Sequence, residues 1–280
     1  MCEIPVFRSI CRESYNPPDE VYERLKFLGM NLVTITDHDS IDAAESLRRH
    51  PDFFLSEEVS CVLPGGNKLH VGVYDIEERD HVEIQRRASD FLSLIAYLRE
   101  RRLFFSANHI FSSLTGPRSL GDFAWLETMA PCFETRNGTM PKMNNAQAAL
   151  FAEITGKIAM GGSDAHAMAT VGAAYTVVEG ARNKREFFDG LRAGRARAEG
   201  QNGSYYKLTR DVLCVAASMM REHPAAVALA PLMLVIPFVT LGNYVREALF
   251  GNYWMTRLER ERSLPTRPSG MLSLKPQAAA

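Results

Sequence analysis

No Cys-x-x-Cys pair occurs in this sequence, and its cysteines (Cys2, Cys11, Cys61, Cys132 and Cys214) are odd in number. That usage argues against a disulfide framework and for a reducing compartment. Charge of one sign is also missing. The net charge is −1, so no global basic field draws in nucleic acid, and no aromatic-basic stripe of the kind that binds single strands is present. The first residues lack a basic segment followed by an apolar core, so no signal peptide is read and a cytoplasmic location is expected. No histidine precedes His38, and no charged residue or histidine falls between Pro224 and Val245. What remains is an ordinary globular composition, 46% hydrophobic and 23% charged, long enough for one large domain with an appendage.

Periodicity orders the first two hundred residues. A short strand is expected within 3–10, then a helix opened by Pro17-Pro18-Asp19-Glu20 and stopped by Gly29. Asn31 to Thr36 is rich in β-branched residues and reads as a strand running into Asp37-His38-Asp39. A helix carrying Ile41, Ala44 and Leu47 follows and ends at Pro51. Pro64-Gly65-Gly66-Asn67 is a turn, Leu69–Tyr74 a strand, and 80–101 one long amphipathic helix. Further strands are expected at Leu103–Ala107, 132–137, 157–160 and 174–178. Helices are expected at 141–155, closed by Gly156, and from the Asn183/Glu186 capping box through Leu191. Alternating strands and helices predict a parallel α/β domain, a barrel or an open sheet. Either architecture collects its active site at the C-terminal strand ends.

Chemistry-bearing residues fall at those ends. Asp164 and His166 follow a short apolar run and are spaced i, i+2, so in extended chain both side chains reach one side. One Asp-x-His is weak evidence. Its company is stronger: Asp37, His38, Glu58, His70, His109 and Glu134 recur at or within predicted strands. Imidazoles and carboxylates together suit zinc, manganese or iron, and shared carboxylates suggest more than one ion. His50, His81 and His223 look unrelated to such a site.

Thr36-Asp37-His38-Asp39, Glu58-Val59-Ser60, His70-Val71, Asn108-His109, Glu134 with Asn137-Gly138, and Gly162-Ser163-Asp164-Ala165-His166 resemble, in order and spacing, the PHP (polymerase and histidinol phosphatase) domain over roughly residues 9–199. The resemblance implies a distorted (β/α)7 TIM-like barrel over 1–200, with two or three divalent metal ions at its mouth, and phosphoester hydrolysis by metal-activated water. By resemblance the metal ligands are His38, Glu58, His70, His109, Asp164 and His166. Asp37 is a ligand or orients one. His38 or His166 is the candidate proton donor to the leaving oxygen, with Asp37 beside them, and Glu134 and Asn137 support the ligands. Arg136 and Arg118 are candidate phosphate clamps, weighed against ordinary surface arginines. The substrate expected is a small phosphorylated molecule. One departure stands out. The family opens with His-x-His-Thr-x-x-Ser, and aligning that serine with Ser9 puts Glu3 and Pro5 at the histidine positions. The alternative is therefore a degenerate PHP domain with weak or no catalysis, acting as a binding or scaffold module.

After Gly200 the character changes. Gln201-Asn202-Gly203-Ser204 reads as a linker into an apolar helical extension over 201–262, with 263–280 expected to be a disordered tail. The charge-free stretch Pro224–Val245 is 22 residues long, which exceeds the roughly 20 needed to span a bilayer. Pro231 and Pro237 would kink it, Tyr244, Tyr253 and Trp254 suit interfacial aromatics, and arginines follow. Two readings compete: membrane association, by surface attachment more than by crossing, or a hairpin packed on the barrel or on a second subunit. A mean hydropathy of −0.15 fits a mostly soluble chain.

Overall fold

The computed structural model describes residues 14–263. The strand expected within 3–10 and the tail from 264 onward lie outside the described residues. Helix α1 (Pro18–Phe27) begins with proline at its first position and acids in its first turn, and Gly29 at φ +85° follows it as expected. It is tied to the next segment by Asp52, which accepts from Tyr22 Oη (2.6 Å) and Lys26 Nζ (2.5 Å).

The segment Asn31–Thr36 does not form the expected strand. Within it only Val33 pairs, at an isolated parallel bridge with Phe53, and a second bridge joins His38 to Glu58 just beyond its end. β-branched residues favour extended backbone, but a strand also needs a continuous partner. The expected helix before Pro51 is a single turn, α2 (Asp42–Glu45), followed by a 3-10 turn, Ser46–Arg49.

Five strands build the main sheet in sequence order: β1 (Ser56–Val62), β2 (Lys68–Tyr74), β3 (Phe104–Ala107), β4 (Cys132–Asn137) and β5 (Ile158–Gly162). The expectation of a parallel sheet holds for only part of it. β1–β2 and β2–β3 pair antiparallel, while β3–β4 and β4–β5 pair parallel. The Pro64-Gly65-Gly66-Asn67 turn explains the first reversal, since a tight turn with Gly66 at φ +85° can only join antiparallel neighbours. The predicted 80–101 helix is two, α3 (Glu78–Arg87) and α4 (Phe91–Glu100), because the Asp90 carboxylate caps a new N-terminus at Leu92 and Ser93.

Helices α5 (Leu120–Met129) and α6 (Lys142–Thr155) flank β4, and α6 closes at Gly156 with φ +64°, as expected. β6 (Ala174–Val178) and β7 (Ala196–Gly200) form a separate antiparallel pair around α7 (Lys184–Arg192), capped by Asn183 as expected. No continuous ladder closes the two sheets into a full barrel among the described residues; the fold is mixed α/β with a central sheet and helices. Between β5 and β6, the Thr176 hydroxyl takes the ladder's place, bonding the N–H and carbonyl of Gly161.

The last third continues as α8 (Tyr205–Glu222), a 3-10 segment Pro224–Val235, and α9 (Ile236–Ser263). Trp254, Met255 and Leu258 of α9 join the main hydrophobic core. The segment read as a linker is pinned instead. Gly203 bridges Pro141 in parallel, its N–H donating to Met140 O at 2.8 Å. A Cβ on Gly203 would overlap the backbone carbonyl of Thr139. Gly203→Ala is therefore expected to lower stability by about 3 kcal/mol, because backbone cannot yield as a flexible side chain can. Urea unfolding checks this, and a variant as stable as the parent would refute the close approach.

Candidate metal centre

Glu58 is the centre of the site. Alternation along β1 sends Glu57 and Glu58 to opposite faces of the sheet. Glu57 faces α3, where His81 Nδ1 (2.9 Å) and Gln85 Nε2 (2.8 Å) hold it. Glu58 faces the strand ends. Its backbone fixes His38: Glu58 N–H donates to Asp37 O (3.0 Å) and Asp39 N–H to Glu58 O (2.9 Å). Asp39 turns the chain at φ +53° and accepts from Ser60 N–H at 2.7 Å. His38 Nε2 is thereby brought to 3.3 Å from Glu58 Oε2.

Two more imidazoles converge on the same carboxylate. His70, on β2, reaches Glu58 Oε2 at 3.7 Å, and His109, just past β3, reaches Oε1 at 3.4 Å. His70 Nδ1 and His109 Nε2 are 3.1 Å apart. Asn108 completes the shell by donating to Glu58 Oε1 at 2.7 Å. His38, Glu58 and His70 each offer a ligand atom within 4.8 Å of the others.

A second cluster adjoins the first. Glu134, on β4, accepts from the backbone N–H of His109 (3.1 Å) and from Asn137 Nδ2 (3.0 Å). The same Asn137 amide donates to Asp164 Oδ2 (3.0 Å), which also accepts from Thr139 Oγ1 (2.9 Å). His166 Nδ1 sits 3.2 Å from the Asp164 carbonyl and 3.9 Å from its carboxylate, with its ring partly exposed. His109 and Asp164 lie in the left-handed region at φ +31° and +47°, a backbone cost that places their side chains at the strand ends.

Burial and mutual contact set the protonation of these groups. Burial opposes ionisation of Glu58, but His109, His70 and His38 overcome it and hold the carboxyl well below its usual range. Burial, with His109 adding, pushes His70 down to about 4, so it is neutral. Burial acts on His109 too, yet Glu58, Glu134 and Asp164 raise it to about 9. Burial lifts Glu134 to about 8. The carboxyl groups of Glu58, Glu134 and Asp164 thus crowd around His109, whose Nδ1 is buried with no hydrogen-bond partner. A neutral imidazole and an ionised carboxylate, with further carboxyl groups close by, form a donor set that fits a divalent cation.

Sequence reading thus finds its residues in one region. His38, Glu58, His70 and His109 meet; Glu134, Asn137, Asp164 and His166 lie beside them; Asp37 lines the same cleft. The arginines differ. Arg118 is neither clamp nor surface residue but buried, bonding Lys68 O (2.6 Å) and Thr115 Oγ1 (2.5 Å). Arg136 reaches Asn202 Oδ1 at 3.3 Å. His50 stacks on Tyr22 at 3.9 Å, His81 serves Glu57, and His223 is exposed. Sequence reasoning missed Asn145. Its amide clamps the Asn137 backbone from both sides, accepting from N–H (3.0 Å) and donating to O (2.9 Å). Paired asparagines, Asn144-Asn145, on an otherwise apolar helix face were the available signal.

Residues 142–196 match the PHP-associated family model, PHP_C, a stretch that contains Asp164 and His166. No curated protein sequence matches the chain. Among solved structures it is similar to PsfC from Pseudomonas syringae, at 16% identity and TM-score 0.56, covering 75% of this chain and 93% of that one. It is also similar to a candidate metal-dependent phosphoesterase from Bifidobacterium adolescentis, at 13% identity and TM-score 0.44, covering 65% and 92%. The lesion-specific endonuclease EndoQ from Pyrococcus furiosus aligns at 16% identity and TM-score 0.46, covering 67% and 55%. The chain is thus an α/β protein sharing its fold with PsfC. Over residues 142–196 the PHP resemblance is borne out by the PHP-associated match.

Asn137 separates two carboxylates, which sets its test. In chelator-treated protein, Asn137→Asp is expected to lose about 2–3 kcal/mol at neutral pH, since three adjacent carboxylates cannot all ionise. Their folded pKa values rise, so the folded state binds more protons and the deficit shrinks as pH falls through the carboxylate range. Asn137→Ala should instead show a smaller deficit that depends less on pH. Denaturation curves at several pH values check this, and an N137D deficit that grows on acidification would refute it.

Proposed function

We propose that the protein is a metal-dependent hydrolase of phosphate esters, acting in the cytoplasm on a small phosphorylated substrate. The observation that supports this most is the convergence of His38, His70 and His109 on Glu58 at 3.3–3.7 Å. In this reading those four residues hold one divalent ion, of manganese, zinc or iron, with His109 giving up its proton as the ion binds, and Asp164 and His166 serve a second. Bound ions would supply Lewis-acid stabilisation of the phosphoryl oxygens and water acidified toward neutrality.

The chain's own groups supply the rest. Asn108 orients Glu58, and Asn137 with Thr139 fixes Asp164, so the carboxylates are positioned before substrate arrives. His70, held neutral, presents a lone pair at physiological pH. His166 is partly exposed and anchored through Nδ1, which leaves Nε2 either to ligate the second ion or to protonate a leaving-group oxygen; whichever of His166 and His38, with Asp37 adjacent, is not committed to metal is the proton donor. Glu134 supports His109 through its backbone and balances charge beside the second ion. Arg136, drawn toward Asn202, would bind phosphate only after releasing that contact.

The test combines metal content with turnover. Purified protein is expected to carry divalent metal and to hydrolyse an aryl phosphate, with chelation abolishing and manganese restoring activity. Glu58→Gln should lower metal occupancy, and His109→Ala with Asp164→Ala should cut turnover by at least about 10²-fold. Unchanged turnover in the double variant would overturn the assignment.

A further inference from the structure

The helical extension carries an apolar face that the proposed chemistry does not use. One helical stretch, Pro224–Ser263, is long and apolar enough to cross a membrane. Of residues 224–245, only Ala226 and Thr240 are buried. Leu232, Leu234, Val235, Phe238, Val239 and Leu241 all face outward, with Leu234 78% and Phe238 74% exposed. Within the stretch the Thr240 hydroxyl is already served, bonding Thr209 Oγ1 at 2.7 Å and the Ile236 carbonyl at 2.9 Å, and Asn243 and Tyr244 fall at its end.

We infer that this face docks on a lipid bilayer and lies in its interface without crossing it. Geometry excludes crossing. The 3-10 segment doubles back along α8, so that the Tyr205 hydroxyl meets Pro237 O at 3.2 Å and Thr209 meets Thr240. The charge-free part of α9 is Ile236–Val245, which at ~1.5 Å per residue is about half a bilayer's hydrocarbon thickness. Past it, Glu247 is buried and accepts from Ser113 N–H at 3.0 Å, and Trp254, Met255 and Leu258 sit in the core. The second half of α9 cannot follow the first into lipid without unfolding the domain.

Composition favours lipid over a second copy of the chain. Interfaces between proteins combine an apolar centre with about one hydrogen bond per 100–200 Å². This face offers almost no donors or acceptors. Its border supplies what a membrane surface recognises: exposed Arg210, Arg221 and Arg246 against one exposed acid, Glu222, and the buried Asp211 beside Arg210, with Tyr206 exposed on α8. Interfacial tyrosine and bordering arginine suit an anionic leaflet. Trp254 is not part of this border, being buried against Phe123 at 5.4 Å between ring centroids.

Flotation of the full chain tests the inference, using vesicles of phosphatidylcholine alone or mixed with phosphatidylglycerol. The parent is expected to float with the mixed vesicles, and less with the neutral ones. Leu234→Glu with Phe238→Glu should reduce flotation at least about tenfold, because both side chains leave lipid and bring charge into it. Circular dichroism and the thermal midpoint of that variant should stay as in the parent. A parent that does not float, or a double variant that floats equally, would overturn the inference. So would a dimer in sedimentation velocity that the double variant dissociates while no vesicle binding is seen, since that assigns the face to a second copy.

Discussion

A buried carboxylate must be compensated, and Glu58 is the one on which this structure turns. It is 7% exposed, and its charge is held by three imidazoles and one amide drawn from three different segments. Leaving a buried carboxylate without partners costs several kcal/mol. His38 arrives through a backbone bridge, His70 on the neighbouring strand, and Asn108 and His109 past the end of the third. The antiparallel turn between β1 and β2 follows from the same need. It sets Ser60 opposite His70 and Glu58 opposite Gly72, so that the side chains on the site face meet within two residues of register.

Glycine at that register position is itself part of the arrangement. A Cβ on Gly72 would meet the Tyr74 ring at 2.9 Å and the Ser106 hydroxyl at 3.0 Å. Tyr74 and Ser106 bond each other at 3.0 Å, and Ser106 passes a hydrogen bond to Asn108 at 2.5 Å. The amide that orients Glu58 is therefore aimed from beneath, through a chain that requires an absent side chain. Asn145 plays the matching part under Asn137. In both clusters the carboxylates are positioned by neutral amides, which orient a charge without adding another.

How much of this was legible in sequence depends on what each feature requires. Strands β2, β3 and β4 were readable because their apolar and β-branched runs are also well paired. Asn31–Thr36 has the same local character and fails as a strand, because propensity does not report whether a neighbour continues the ladder. The break between α3 and α4 was encoded in Asp90, but the apolar spacing of Ile84, Phe91 and Ile95 carries a helical reading straight across it. Strand direction was not legible, since it depends on where loops travel. Site histidines and carboxylates were recognisable from residue order, whereas the amides that hold them look like any surface asparagine. Arg118 shows the converse: a guanidinium that looks like a clamp closes backbone carbonyls in the interior.

The extension and the site are mechanically one unit. Glu247 of α9 accepts from the N–H and hydroxyl of Ser113, in the loop that begins at His109, and Asn144 of α6 donates to both Phe111 O (2.8 Å) and Glu247 O (2.9 Å). Asp211 of α8 accepts from Thr170 Oγ1 at 2.7 Å, just beyond the turn that carries Asp164 and His166. Each helix of the extension therefore grips one of the two loops that deliver site residues. Both loops begin with a residue held in the left-handed region, a conformation that persists only where surrounding contacts enforce it. Glu134 holds the His109 backbone and Asn137 with Thr139 holds Asp164, while the buried carboxylates of the extension fasten the same loops farther along, at Ser113 and Thr170.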